Sequence, residues 1–234
     1  MSKQERYLEL VRSRKACRAC KALINPSVCE DGAFDSDHLG PWSRWQGNLD
    51  AQVLVIGQDW GGTDYFIRHR GFDTPVNPTN RHLRQLLESI GIAIPPPSDT
   101  DTVGDIFLTN AILCLKKGGL TGPVRTEWFK NCGKRYLQPL IDLIAPQVVV
   151  TLGRRALDSV LRLYDMPKPK RLRDAVENEE GIELGGDALL FPMYHCGQIV
   201  WNTHRKEVQQ LKDWTRVSPI LRKDDAECQP TSSV

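Results

Sequence analysis

Four short runs of aliphatic residues, separated by segments with helical spacing, set the main pattern of this chain. Runs of this length without polar alternation are typical of strands buried on both faces. The runs occupy residues 53–56, 106–112, 148–152 and 189–193. The segments with helical character occupy residues 4–16, 83–90, 126–143, 154–163 and 202–215. Strands that alternate with helices predict an α/β fold, a three-layer α/β/α sandwich around a mostly parallel four-stranded sheet.

Residues capable of chemistry follow several of these predicted strands. Gln58 and Asp59 follow the first strand, Asn110 lies in the second and His195 follows the fourth. Because parallel strands place their carboxyl ends at one edge of the sheet, Asp59, Asn110 and His195 are expected to converge. Glycines on both sides of the polar residues, at 57 and 61–62, would allow a sharp turn and close approach to a ligand. Alternatively, Asp59 only caps a helix and His195 is structural.

Composition and charge restrict the classes of protein to consider. A chain of 234 residues with 40% hydrophobic content predicts one domain over 1–216, with a polar, disordered tail over 217–234. The net charge of +2 supplies no global field for polyanions, so any nucleic-acid surface must be a local basic patch. No secretory signal is visible, and no apolar run approaches the roughly 18 residues of a membrane span. We therefore expect a cytoplasmic protein with no membrane partner.

Seven cysteines in a chain without a signal sequence favour metal or redox chemistry over a disulfide framework. Cys17 and Cys20 form a C-x2-C pair, and Cys114 and Cys132 could complete a four-cysteine site. Such a set suits a 4Fe-4S cluster or a zinc ion, and spacing alone does not choose between them. Cys29 is a rival ligand because it lies near the first pair. The dispersed cysteines could also be small buried hydrophobes.

Several motifs together resemble the uracil-DNA glycosylase superfamily. Gly57-Gln58-Asp59 resembles its first motif, the strand that ends in Asn110 resembles its uracil-reading strand, and His195 resembles the start of its second catalytic motif. The four-cysteine layout and the segment at 146–157 resemble the iron–sulfur branch, families 4 and 5. The resemblance extends over roughly residues 10–215, and its strength lies in the order and spacing of the motifs.

The resemblance implies a uracil pocket at the ends of the strands. Asp59 would stabilise the cationic sugar and orient the attacking water, and His195 would donate a hydrogen bond to uracil O2. The amide of Asn110 would read the edge of the base, and the ring of Phe72 would stack on it. The pocket would be completed by Gln58 and the backbone amide of Trp60.

For DNA and cofactor, the resemblance implies a wedge, a set of surface contacts and a cluster. Ile199 would fill the space left by the flipped base. The remaining contacts with DNA would come from Lys116, Lys117, Gln198 and Arg205. The basic segment at 116–135 could follow phosphates or could be a solvated helix face. A 4Fe-4S cluster, with zinc as the less favoured alternative, would bind Cys17, Cys20, Cys114 and Cys132.

The implied activity is that of a DNA repair enzyme that hydrolyses the N-glycosidic bond of uracil in single- or double-stranded DNA and leaves an abasic site. No motif places a lysine for Schiff-base formation, so we expect a monofunctional glycosylase. We also expect the protein to be a monomer. An alternative is a protein that binds uracil or abasic DNA tightly and turns over slowly, as a sensor or protector. A third, from fold alone, is a nucleotide-binding α/β protein with a zinc knuckle.

The chain also departs from the pattern of the iron–sulfur families at three places. Gln58-Asp59 is more like the family 1 enzymes than like the Gly-Glu-Ala-Pro-Gly of the cluster-containing families. Leu115-Lys116-Lys117 stands where Arg-Pro-Pro is expected after Cys114. His195-Cys196-Gly197 replaces the usual His-Pro-Ser. Substrate range and rate therefore cannot be carried over from any one family.

Overall fold

The computed structural model describes residues 1–40, 45, 48–96, 105–117 and 122–221. The strands are β1 (Leu23–Ile24), β2 (Val53–Gly57), β3 (Ile106–Asn110), β4 (Leu115–Lys116), β5 (Val148–Leu152), β6 (Ile182–Glu183) and β7 (Leu189–Met193). The helices are α1 (Lys3–Ala16), α2 (Thr63–Arg68), α3 (Pro78–Glu88), α4 (Thr126–Cys132), α5 (Gln138–Ile144), α6 (Arg154–Leu163), α7 (Leu172–Val176), α8 (Gln198–Thr203), α9 (Glu207–Thr215) and α10 (Ser218–Leu221). A 3₁₀ segment spans Pro26–Gly32 and a π-helical segment spans Gly133–Leu137.

The central sheet contains the four predicted strands in parallel and one additional short strand. Its order is β3-β2-β5-β7-β6, and β6 pairs antiparallel with β7 at the edge. The mostly parallel α/β sheet is thus confirmed, but the predicted count of four strands is wrong. The strand β6 has only two residues, too few for a hydrophobic pattern, and it is defined by its pairing with β7.

Alternate residues of each parallel strand pack against helices on opposite faces of the sheet. On β2, Leu54 and Ile56 join one core, which also contains buried residues of α1, α4, α5 and α6. Val53 and Val55 join the other core, which includes Trp201 of α8 and buried residues of α3 and α9. Burial on both faces explains why the strands are continuous aliphatic runs in the sequence.

Several segments differ from the sequence predictions because packing, rather than periodicity, decides them. The predicted helix at 126–143 passes through the π-helical turn at 133–137, and the predicted helix at 202–215 is divided into α8 and α9. Two segments without helical spacing in the sequence, 61–80 and 165–180, contain the short helices α2 and α7. Helices of five or six residues are not stable alone, and burial of a few side chains, such as Phe66 on α2, stabilises them.

The ordered domain also extends beyond the predicted boundary at residue 216. Val217 is completely buried and Ser218 begins α10, so the first residues of the predicted tail pack on the core. The rest of that tail, 222–234, lies outside the described residues. None of the described helices has the length and apolar character needed to span a membrane.

The N-terminal segment is attached to the domain through a buried ion pair and a small second sheet. α1 begins with a capping box between Ser2 and Glu5. Near its end, the buried guanidinium of Arg14 pairs with Asp35. β1 then pairs antiparallel with β4, which follows shortly after Asn110. This pairing fixes the first 24 residues beside the segment that leaves the central sheet.

Replacing Leu54 by alanine tests the assignment of β2 as the centre of the core. The Leu54 side chain is fully buried, so the change should lower the free energy of unfolding by about 2–5 kcal/mol. Chemical denaturation measures the effect. Leu8→Ala, at a position of α1 that is 38% exposed, is the control and should change stability by no more than about 0.5 kcal/mol. Equal effects would contradict the assignment.

Candidate active site

Asn110 and Gly57 lie opposite each other at the carboxyl ends of β3 and β2. A Cβ atom on Gly57 would lie 2.2 Å from Asn110 Oδ1, so only glycine leaves room for the amide. The backbone N–H groups of Ala111 and Ile112 donate to the carbonyls of Gly57 and Gln58, at 2.9 and 3.0 Å. Asn110 is therefore buried and held over the turn that carries Asp59.

The carboxylate of Asp59 is fixed by three donors. The Gly61 N–H donates to Oδ1 at 3.0 Å, and Gln58 Nε2 donates to Oδ2 at 2.6 Å. Lys116 Nζ lies 3.0 Å from Oδ2, with 1% of the lysine side chain and 6% of the aspartate side chain exposed. Asp59 does not cap α2, whose N-cap is Gly62 without a side-chain hydrogen bond. The helix-cap alternative is therefore excluded.

His195 follows β7 and has an ordered ring orientation. The backbone N–H of Gly197 donates to His195 Nδ1 at 2.9 Å. Since that nitrogen accepts, the proton of the neutral ring lies on Nε2. His195 is exposed at the surface, and desolvation by the surrounding protein lowers the pKa of its imidazole from 6.5. The charge of Asp59 opposes that shift. Neutral His195 is thus an Nε2–H donor near a carboxylate.

The structure brings together three of the predicted site residues. Gly57 joins Asn110 to the Asp59 turn, and His195 Cβ lies 3.6 Å from where a Cβ of Gly153 would be, just after the neighbouring strand β5. The shared sheet edge follows from the parallel pairing of β3, β2, β5 and β7. An amide, a carboxylate and an imidazole therefore lie at the same edge of the sheet.

The remaining predicted pocket and DNA residues divide into exposed and buried groups. Phe72 is 51% exposed and Ile199 is 75% exposed on α8, so both are accessible to a ligand. Gln198 is exposed and donates to Asn202, and Lys117 is exposed. The indole of Trp60 is buried in a small core with Cys29, Phe66 and Leu115, which leaves its backbone for any contact with a ligand.

Two predicted DNA contacts have different surroundings from those expected. Lys116 is buried against Asp59 and is not at the surface. Arg205 makes a bidentate pair with Asp213, at 2.9 and 2.7 Å, and its guanidinium lies 5.6 Å from the ring centroid of Tyr194. Both cations are thus paired with a carboxylate, and Lys116 is also removed from solvent, so its predicted contact with DNA is wrong. Arg205 keeps partial exposure. A basic sequence run does not reveal such partners.

Sequence reasoning missed His82, which supports the segment after His195. Its Nδ1–H donates to the carbonyl of Cys196 at 2.7 Å, and its ring stacks on Trp201 of α8 with a centroid separation of 3.9 Å. The available signal was its position four residues before Leu86, on the apolar face of α3. This contact fixes the segment between His195 and Ile199.

The four predicted ligand cysteines line one cavity of about 310 Å³. Burial and the neighbouring thiols raise the pKa of Cys132 to about 12. The pKa of Cys17 is lowered overall. Burial alone would raise it, but hydrogen bonds from the Tyr136 hydroxyl and the backbone of Ala19 act in the opposite direction and outweigh burial. Asn131 Nδ2 donates to Cys20 Sγ at 3.4 Å.

The other described cysteines lie apart from the cavity. Cys29 belongs to the small core with Trp60, so it does not compete as a ligand of the same cavity. The thiol of Cys196 is buried and donates to the carbonyl of Thr79. Both of these cysteines serve in packing.

The four thiols that line this cavity are of the chemical type that holds a metal group. A tetrahedral zinc ion binds four thiolates with Zn–S bonds of about 2.3 Å. A 4Fe-4S cluster places an inorganic core between four thiolates. Within the described ranges, no three His, Cys, Asp or Glu side chains are grouped closely enough to hold a single metal ion.

Comparison with known proteins agrees with this geometry. The sequence model of the uracil DNA glycosylase superfamily matches residues 45–217, which include Asp59, Asn110 and His195. The chain belongs to the uracil DNA glycosylase superfamily. It is also 23% identical over 177 residues to a type-4 uracil-DNA glycosylase of Archaeoglobus fulgidus, a match that covers 76% of this chain and 80% of that protein. The α/β sheet observed here is the one expected for this superfamily.

The titration of His195 provides a test of this site that does not depend on activity. Because burial lowers its pKa, the imidazole should titrate with a midpoint below 6.5. Asp59→Asn removes a charge that favours the protonated ring, so the midpoint should fall further. NMR of the imidazole carbon-bound protons measures both midpoints. A midpoint above 6.5, or a rise in the variant, would contradict the described environment.

Proposed function

We propose that this chain is a monofunctional uracil-DNA glycosylase that hydrolyses the N-glycosidic bond of uracil and leaves an abasic site. The observation that carries the proposal is the assembly of Asn110, Asp59 and neutral His195 at one edge of the sheet. Membership of the superfamily and the similarity to the archaeal type-4 uracil-DNA glycosylase support it.

Asn110 would supply selectivity for uracil. Its amide nitrogen can donate to uracil O4, and its amide oxygen can accept from N3–H. Cytosine presents the opposite pattern and would leave buried polar groups without partners, at a cost of about 1–3 kcal/mol for each group. Because Asn110 is buried and backed by Gly57, the amide cannot easily move to accommodate the wrong base.

Asp59 and His195 would divide the chemical step between them. As the bond between C1′ and N1 breaks, its electron pair goes to uracil and positive charge develops on the sugar. His195 Nε2–H would donate to O2 of the departing anion, and the Asp59 carboxylate would stabilise the cationic sugar. Asp59 would also orient the water that adds to C1′. A neutral imidazole suffices for this role, consistent with the lowered pKa of His195.

The exposed residues around the site would hold DNA with the nucleotide flipped out of the stack. Ile199, on the segment supported by His82, is exposed and would occupy the space left by the flipped base. Phe72 is exposed and would stack on uracil. Lys117 and Gln198 are exposed and would contact the backbone. These contacts with DNA would be local and would not require a basic charge over the whole protein.

A slow-turnover binding protein is the second candidate, and one specific observation favours it. The segment after His195 reads His195-Cys196-Gly197, where the iron–sulfur families usually carry His-Pro-Ser. A change at this position would slow the chemical step while leaving recognition of uracil by Asn110 intact. Multiple-turnover kinetics distinguish the candidates, because a sensor would release about one equivalent of uracil and then stop.

We also propose that Cys17, Cys20, Cys114 and Cys132 hold a 4Fe-4S cluster. When bound, the cluster would supply a covalent link between the N-terminal segment and the segment after Asn110, with no redox step in the hydrolysis. The two segments already meet through the pairing of β1 with β4. The hydrogen bonds to Cys17 and Cys20 stabilise negative charge on those sulfurs, as thiolate ligands require.

The cofactor proposal predicts a brown protein with a broad visible absorption band and stoichiometric iron and sulfide. Cys132→Ser should lose the absorption band and most of the iron, because one ligand of the cavity is lost. Cys29→Ser is the matched control and should keep both, since Cys29 lies outside that cavity. A colourless protein with one zinc per chain would contradict the cluster.

The catalytic proposal predicts that Asp59→Asn and His195→Ala each slow uracil release by about 10²–10⁴-fold. The measurement is single-turnover cleavage of uracil-containing single and double strands. The product strand should remain unbroken until treated with alkali, as expected for a monofunctional enzyme. Lys212→Met, an exposed change on α9, is the control. Equal cutting by all four proteins would show that the site is wrong.

A further inference from the structure

The ion pair between Lys116 and Asp59 carries a desolvation penalty, which points to a role other than stability. The ammonium lies 3.0 Å from Asp59 Oδ2, and only 1% of the lysine side chain is exposed. Removing a lysine from water is unfavourable, and its attraction to a carboxylate often only offsets that penalty. The pair is therefore weak evidence for stability and better evidence for control of the carboxylate.

The donors around Asp59 determine which of its oxygen atoms can face a substrate. Oδ2 receives both Lys116 Nζ and Gln58 Nε2, at 3.0 and 2.6 Å. Oδ1 receives the Gly61 N–H at 3.0 Å. An ionised carboxylate has about four acceptor positions, so Oδ1 keeps capacity for a further partner. The lysine thus holds one oxygen and leaves the other to act.

Lys116 is itself fixed to the turn that carries Asp59. Its backbone N–H donates to the carbonyl of Gly61 at 3.0 Å, and Lys116 forms an isolated parallel β-bridge with Gly62. The preceding residue, Leu115, is fully buried, and both residues pair with β1. A side chain anchored through its own backbone loses little further freedom in holding its partner.

The contact also joins two departures from the pattern of the iron–sulfur families. Gln58-Asp59 differs from the first motif of those families, and Leu115-Lys116-Lys117 replaces their Arg-Pro-Pro. In the structure, Gln58 and Lys116 both bind the same carboxylate oxygen. The two unusual segments therefore form one local arrangement.

We propose that Lys116 is a positioning residue for the Asp59 carboxylate and makes no contact with DNA. This inference rests on the proposed glycosylase function. Lys116 holds Asp59 Oδ2, so that Oδ1 faces the sugar and the attacking water. The adjacent Lys117 is exposed and has the opposite role, contact with the DNA backbone.

Lys116→Met keeps an unbranched side chain that is one atom shorter, and removes its charge. With the carboxylate less firmly oriented, the single-turnover rate at saturating enzyme should fall roughly 10- to 100-fold. Affinity for DNA that carries a non-cleavable 2′-fluoro-deoxyuridine should stay within about threefold of wild type, because a buried lysine makes no phosphate contact. Fluorescence anisotropy measures that affinity.

The salt dependence of DNA binding separates the two neighbouring lysines. Lys116→Met should leave the slope of log affinity against log salt unchanged. Lys117→Met should make the slope less steep by about one unit, as expected for loss of one phosphate contact. A reduced slope for Lys116→Met would overturn the assignment of Lys116.

A double-mutant cycle tests whether Lys116 acts through Asp59. In an Asp59→Asn background, adding Lys116→Met should cause no further loss of rate, whereas independent roles would multiply. An unchanged rate for Lys116→Met alone would overturn the inference. A parallel loss of rate, DNA affinity and melting temperature would also overturn it, because such a loss would indicate that Lys116 has only a structural role. If wild type releases no uracil, the proposed function fails instead.

Discussion

The space above Gly57 is the constraint on which the site depends. β2 and β3 are parallel and in register, so Gly57 lies directly opposite Asn110, and the missing Cβ leaves the only room for the amide. The same register lets Ala111 and Ile112 bond to the carbonyls before Asp59. One backbone pairing therefore sets the Asn110 amide and the turn that carries the Asp59 carboxylate at fixed positions.

The charges around that space are balanced rather than simply negative. Desolvation by the surrounding protein lowers the pKa of His195 even though the charge of Asp59 raises it, and the Gly197 N–H directs the proton of the neutral ring to Nε2. Lys116 Nζ meanwhile lies 3.0 Å from Oδ2 of Asp59. The carboxylate therefore has a cationic partner within the protein, while the imidazole is favoured in its neutral form.

The cysteine cavity and the candidate active site are connected through a short stretch of chain. Cys114 lines the cavity, and Lys116, two residues later, binds Asp59. The pairing of β4 with β1 brings the Cys17–Cys20 segment to the same place. Anything that orders the cavity also orders the strand that carries Lys116, so a structural cofactor would act on the geometry of the site without taking part in the reaction.

The sequence by itself determined the parallel sheet and the residues at the strand ends, because continuous aliphatic runs and glycine turns reflect burial directly. The cysteines that share a cavity were predicted from the C-x2-C spacing and from the resemblance to the iron–sulfur families. Tertiary structure alone decided the edge strand β6 and the packing of Val217, which depend on short segments meeting distant partners. It also decided which basic side chains are paired and which are exposed. Lys116 is buried against Asp59, Arg205 is paired with a carboxylate, and Lys117 is exposed. A charge pattern along the chain records the sign of each residue but not its partner, since the partner is brought there by the fold.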